Sequence, residues 1–101
     1  MSDQTISNEN VLVIVEVAAV RDPAMLKSYQ LRAREQIGRH GGAVLARGGS
    51  MLEGAPFGPL LVQRWPSEQA FRAWQESAEY EPLRDLRRTC ADLRIVVVPL
   101  V

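Results

Sequence analysis

The sequence contains few of the residues that mark several protein classes. It has one cysteine and one histidine in 101 residues, and its 12 basic residues balance 12 acidic ones. A single cysteine excludes an internal disulfide framework, and one cysteine with one histidine forms no zinc-binding motif. A formal net charge of zero argues against a general nucleic-acid binder. No apolar run is long enough to span a bilayer.

The N-terminal segment MSDQTISNEN is polar and lacks the basic and apolar regions of a signal peptide. We therefore predict a flexible tail over residues 1–10 and a single domain over residues 11–101. The composition predicts a cytoplasmic protein that binds neither membranes nor nucleic acids.

Four apolar segments are predicted to be strands. Residues 11–17 (VLVIVEV) and 93–98 are rich in β-branched side chains and apolar on both faces, and residues 43–47 and 60–65 form two shorter strands between them.

Two helical segments separate these strands. The first has Asp22 as its N-cap and Pro23 as its first residue, and it ends at Gly41. The second begins after Ser67, and Pro82 begins a further helical turn.

The predicted order β-α-β-β-α-β is that of a ferredoxin-like α+β fold, with a four-stranded antiparallel sheet and two helices on one face. The helices cover only one face, yet the two long strands are apolar on both. We therefore expect a homodimer whose sheets pack face to face. The alternative is a monomer in which the tail or the loop at 54–59 covers the sheet.

Three stretches resemble a known family. They are DPAMLKSYQLRAREQIGRHGGAVLARGG, LEG and LLVQRWPSEQAFRAWQESAEYEPLRDLR, within residues 11–98. They are similar to the family of domains of unknown function numbered 1330, in the dimeric α+β barrel superfamily. The resemblance implies the same fold, no established activity, and a ligand between the sheet and the helices. Leu26, Ala43 and Gln75 depart from the family pattern, which more often has aromatic or basic residues there.

The resemblance and the helical spacing together suggest a pocket lined by aromatic side chains. Its predicted ligand is a small aromatic or acidic molecule, bound without a cofactor or metal. The predicted ligand-binding residues are Trp65, Trp74, Tyr80 and Arg87. In the alternative interpretation the aromatic residues are simply core, and Arg87 pairs with Glu79 or Glu81.

Three residues are candidates for catalysis. Arg47 could hold a carboxylate or enolate, and Tyr29 and His40 could carry a proton. The alternatives are that Arg47 pairs with Glu53 and that His40 only caps a helix. Haem occurs in related barrels, and His40 is the residue that would bind it. The glycine pairs around Arg47 match no phosphate-binding motif and predict a helix end and a turn.

Three functions remain compatible with the sequence. The first is a small-molecule-binding protein of unestablished activity. The second is a cofactor-independent monooxygenase, cyclase or isomerase acting on an aromatic or enolisable substrate. The third is a structural or regulatory dimer without a pocket.

Overall fold

The computed structural model describes residues 10–101, so all of the predicted tail except Asn10 lies outside the described residues. The elements are, in order, β1 (Val11–Val20), α1 (Pro23–Arg39), β2 (Ala43–Gly48), β3 (Leu60–Trp65), α2 (Glu68–Gln75), α3 (Glu81–Cys90) and β4 (Ala91–Pro99). The four predicted strands and both predicted helical segments are present. The second segment is divided into α2 and α3 by a short turn.

All strand pairs are antiparallel, and the sheet order is β2-β3-β1-β4. β1 is central and pairs with β3 on one side and β4 on the other, with Val13 opposite Gln63 and Val97. This order with the observed connections confirms the predicted ferredoxin-like α+β fold.

Local sequence signals define both ends of α1. The Asp22 carboxylate accepts the Met25 N–H at 3.0 Å, and Pro23 occupies the first turn. At the other end Gly41 has a φ of +93°, and the Gly42 N–H donates to the Ile37 carbonyl at 2.9 Å. This is a Schellman motif, as the first glycine pair predicted.

The helix-facing side of the sheet carries the core. Val11, Val13 and Val15 alternate along β1 towards the helices and are buried. Trp65 packs there too, so closely that a Cβ at Gly42 would lie 2.6 Å from its indole ring. Glycine at position 42 therefore makes room for Trp65.

The opposite side of the sheet, which we call the open face, is covered by no helix of residues 10–101. By strand register it carries Leu12, Ile14, Val62, Val96 and Val98. Val96 remains 53 % exposed. The open face is therefore apolar and only partly covered.

One ion pair lies at an end of the open face. Arg94 Nε donates to Glu16, and the backbone N–H of Gly58 donates to the same carboxylate at 2.7 Å. The hydrogen bond from Arg94 lowers the pKa of Glu16 most, and the hydrogen bond from Gly58 lowers it further. The loop before β3 is thereby held against β1.

Candidate functional site

A cavity of about 390 Å³ lies between the helix-facing side of the sheet and helices α1 and α2. Most of its lining is aliphatic or aromatic. The apolar lining residues include Val15, Val44, Leu61 and Ile95 from the sheet, and Leu26, Ala33, Ile37, Phe71 and Trp74 from the helices.

Two arginines also line the cavity, Arg34 from α1 and Arg47 from β2. Both are exposed, so they lie where the cavity meets solvent. Neither forms a salt bridge with any residue of the range 10–101. The alternative pair between Arg47 and Glu53 is accordingly not formed. The cavity thus combines an apolar interior with two guanidinium groups that have no acidic partner within residues 10–101.

Tyr29 lines the cavity, and its hydroxyl belongs to a hydrogen-bonded group with Tyr80 and Arg87. Its side chain is 8 % exposed, and its hydroxyl lies 2.8 Å from the Tyr80 hydroxyl. Arg87 Nη1 donates to that Tyr80 hydroxyl at 2.9 Å. Burial, and then the neighbouring Tyr80, raise the pKa of Tyr29 far above its ordinary value. At neutral pH Tyr29 is therefore a neutral hydroxyl that can donate or accept a hydrogen bond but gives up its proton less readily than an ordinary tyrosine.

The predicted aromatic residues form one cluster, but only part of it reaches the cavity. Trp65 stacks on Trp74 with ring centroids 5.5 Å apart, and Trp74 contacts Tyr80 at 4.5 Å. Tyr29 and Trp74 lie on the lining, whereas Trp65 and Tyr80 are buried behind it. Arg87 also lies off the lining and supports Tyr80, pairing with neither Glu79 nor Glu81.

His40 lies apart from the cavity, at the C-terminal end of α1. Its Nε2 is 2.8 Å from Glu79 Oε1, and Arg39 pairs with the same carboxylate. A haem at His40 would need this nitrogen free and an apolar cleft around it, so the arrangement does not fit haem. Of the three predicted catalytic residues, the structure brings Tyr29 and Arg47 to the cavity and leaves His40 outside.

Four polar lining residues were not predicted as site residues, namely Gln30, Arg34, Gln63 and Gln75. Gln63 lies on the sheet side, is 3 % exposed, and its Oε1 accepts the Trp65 indole N–H at 2.8 Å. The strand LLVQRW did contain a signal, because alternation places Gln63 on the same inward face as Leu61 and Trp65. Arg34 gave no such signal, since it lies just beside the apolar stripe of an amphipathic helix.

Within residues 10–101 no three His, Cys, Asp or Glu side chains are placed to hold a metal ion. In that same part of the chain, no helix has the length and apolar character needed to cross a membrane.

Comparison with known proteins now places the chain. The family model for the domain of unknown function DUF1330 matches residues 10–101. The chain belongs to this family. No curated protein is significantly similar to this DUF1330 domain in sequence.

Several solved structures share its fold. A protein of unknown function from Rhodopseudomonas palustris superposes with a TM-score of 0.79 at 16 % identity, over 93 % of this chain and 84 % of that one. SnoaB, a cofactor-independent oxygenase from Streptomyces nogalater, gives 0.70 at 14 % identity, over 92 % and 94 %. A dimeric protein of unknown function from Bacteroides fragilis gives 0.58 at 11 % identity, over 91 % and 97 %. These likenesses establish the fold and leave the function open.

Proposed function

We propose that this DUF1330 domain binds a small anionic molecule with an aromatic or other apolar body in the cavity between sheet and helices. The observation that carries the proposal is the pair of arginines, Arg34 and Arg47, at the edge of an apolar cavity with no acidic partner among residues 10–101. An apolar body gains from leaving water, and a guanidinium binds carboxylate in a bidentate manner.

The size of the cavity supports the same proposal. Small-molecule sites usually measure roughly 300–1,000 Å³, and this cavity is about 390 Å³. That volume suits a molecule of one or two rings. A dimer without a pocket, the third hypothesis from the sequence, would have no cavity of this size.

Isothermal titration calorimetry with 2-naphthoate and its uncharged analogue 2-naphthamide tests the proposal. We expect wild-type protein to bind 2-naphthoate about tenfold more tightly, because only the carboxylate gains charge-assisted hydrogen bonds. Arg47→Gln and Arg34→Gln should reduce that preference. Arg32→Gln is the matched control, because Arg32 is exposed on α1 and off the lining. Equal binding of both probes, or no binding of either, would contradict the proposal.

We also propose that two copies associate through their open faces. The apolar side chains there, Ile14, Val62 and Val96 among them, support this, since apolar sheet faces of this extent are normally covered. The dimeric state of the Bacteroides fragilis neighbour is a further support.

Light scattering coupled to gel filtration tests this association. We expect a mass of two chains for the wild type and of one chain for Val96→Glu, because a carboxylate would be buried without a partner. Leu31→Glu is the control, since Leu31 is exposed on α1, away from the sheet. A monomeric wild-type protein would exclude the proposed dimer.

A cofactor-independent monooxygenase is a second candidate, favoured by a neutral tyrosine, Tyr29, on the lining of a largely apolar cavity. Such a hydroxyl can donate a hydrogen bond to an oxyanion that forms on an enolisable ring. With 1-naphthol, one oxygen atom of O₂ would become the second carbonyl of 1,4-naphthoquinone, and the other would leave as water with the hydroxyl hydrogen and the hydrogen of carbon 4. Oxygen uptake should then match substrate loss without added reductant, and fall about a hundredfold in Tyr29→Phe. Uptake no faster than without protein would exclude this activity.

A further inference from the structure

The amide of Gln63 has a fixed orientation. Its contact with the Trp65 indole nitrogen, at 2.8 Å, must involve the amide oxygen, because an indole N–H is only a donor. Trp65 is itself fully buried and stacked on Trp74, so it holds the amide oxygen in one place. The NH₂ group of Gln63 therefore occupies the other side of the amide.

That NH₂ group has no hydrogen-bond partner in the part of the chain that the structure describes. Across the same residues, no side-chain nitrogen or oxygen is both sealed from solvent and without a partner. Gln63 as a whole is only 3 % exposed, and it lines the cavity. Its Nε2 is consequently open to the cavity, where it is an unused donor among apolar side chains.

The distance between Gln63 and Arg47 determines how long a molecule must be to contact both residues. Gln63 pairs with Val44, and Arg47 pairs with Leu61, which precedes Gln63 by two residues on β3. Residues two apart on a strand are separated by about 7 Å. Arg47 lies where the cavity meets solvent, whereas Gln63 is enclosed, so a molecule that contacts both would have its inner end at Gln63 and its outer end at Arg47.

We propose that Gln63 is a specificity residue, and that it donates a hydrogen bond to a carbonyl oxygen at the inner end of the ligand. This rests on the proposed function, in which Arg34 and Arg47 hold the anionic end. The two ends together define the ligand class as a small, largely apolar acid that carries a carbonyl group opposite its carboxylate. An acid without that group leaves the Gln63 donor unpaired and binds more weakly.

The test compares 6-acetyl-2-naphthoate with 6-isopropyl-2-naphthoate, in which a methyl-bearing carbon replaces the carbonyl at nearly constant shape. Calorimetry on wild-type protein should show about tenfold tighter binding of the acetyl compound. In Gln63→Met the two affinities should become equal within about twofold. A purely structural role for Gln63 would weaken both probes alike and leave their ratio unchanged.

Gln36→Met is the matched control, because Gln36 also accepts from a tryptophan but lies off the cavity lining. It should keep the wild-type ratio. If Gln63→Met does not fold, a wild-type ratio near one still overturns the proposal, and a shift of the Gln63 side-chain NH₂ signals in NMR spectra on adding the acetyl compound is the positive test. Equal binding of the two probes to wild type would overturn the role of Gln63 and leave the proposed function standing. Failure of both probes, and of 2-naphthoate, would remove the proposed function instead.

Discussion

Two glutamine side chains each accept a hydrogen bond from a tryptophan indole, and they differ at the other end of the amide. Gln36 accepts from Trp74 at 3.0 Å and donates its NH₂ to the Glu79 carbonyl at 3.2 Å. Gln63 accepts from Trp65 at 2.8 Å, and its NH₂ meets only the cavity. An amide with hydrogen bonds at both its oxygen and its nitrogen can connect secondary-structure elements. Gln36 in this way connects α1 to α2 and to the turn after α2. An amide whose NH₂ group has no acceptor, in an enclosed site, can donate a hydrogen bond to a ligand.

The largest change in stability should come from substituting Gly42, which lies beside Trp65. Gly42→Ala places a Cβ 2.6 Å from the indole that positions Gln63, so we expect about 2–3 kcal/mol of destabilisation from overpacking. Gly38→Ala is the control, since a Cβ there meets nothing within 4 Å, and it should stabilise α1 by about 0.5–1 kcal/mol. Urea unfolding measures both. Equal stability of the two variants would show that Trp65 is not fixed in place by close packing.

Removing each glutamine in turn should have the next largest effect. Gln36→Met loses two hydrogen bonds, and we expect it to lower the free energy of unfolding by about 2 kcal/mol. Gln63→Met loses one, and removing its unpaired NH₂ offsets part of the loss, so we expect about 1 kcal/mol. A larger loss of unfolding free energy in Gln63→Met than in Gln36→Met would indicate that the Gln63 NH₂ group also has a hydrogen-bond acceptor. That result would contradict the comparison.

Tyr29, another residue of the cavity lining, should make the stability of the protein depend on pH under alkaline conditions. Because its pKa is raised in the folded protein, its contribution to stability is complete below the ordinary tyrosine value of 10.0 and is lost as the pH rises above that value. Above pH 10 the wild type should lose about 1 kcal/mol per pH unit more than Tyr29→Phe. Urea unfolding between pH 9 and 11 measures this, and parallel pH profiles would contradict it.

The smallest effect on stability should come from Glu16, a carboxylate on the open face that accepts hydrogen bonds from Arg94 and Gly58. Its pKa is lowered, so its contribution is complete above the ordinary value of 4.5 and is lost as the pH falls through the lower, folded value. Acid unfolding should therefore begin at a higher pH in wild type than in Glu16→Gln, relative to the stability of each at pH 7. An identical acid response would show that the contact with Arg94 does not persist in solution.

The sequence predicted the fold well because its signals were local. Alternating valines, the Asp22 cap and the glycine after α1 each determine a short segment, and connectivity rules then fix the topology. Tyr29, Trp74 and Arg47 were found because an aromatic stripe and a strand-end arginine are visible in the sequence.

The remainder of the site depends on contacts between distant segments. Nothing near His40 indicates that Glu79 binds it, and nothing near Tyr80 separates a residue behind the lining from one on it. Gln63 was not predicted because the role of a buried glutamine depends on which of its amide groups are hydrogen-bonded. The partner's indole is two residues away, and the free end of the amide depends on how α1 and α2 cover the sheet.

The most direct measurement is an NMR titration of the side-chain amide groups in ¹⁵N-labelled protein with 6-acetyl-2-naphthoate. The NH₂ signals of Gln63 and Gln36 can be assigned by their loss in Gln63→Met and Gln36→Met. We predict that the Gln63 signals shift in proportion to occupancy while those of Gln36 stay in place. Binding of the probe without movement of the Gln63 signals would contradict a ligand held between Gln63 and the arginines.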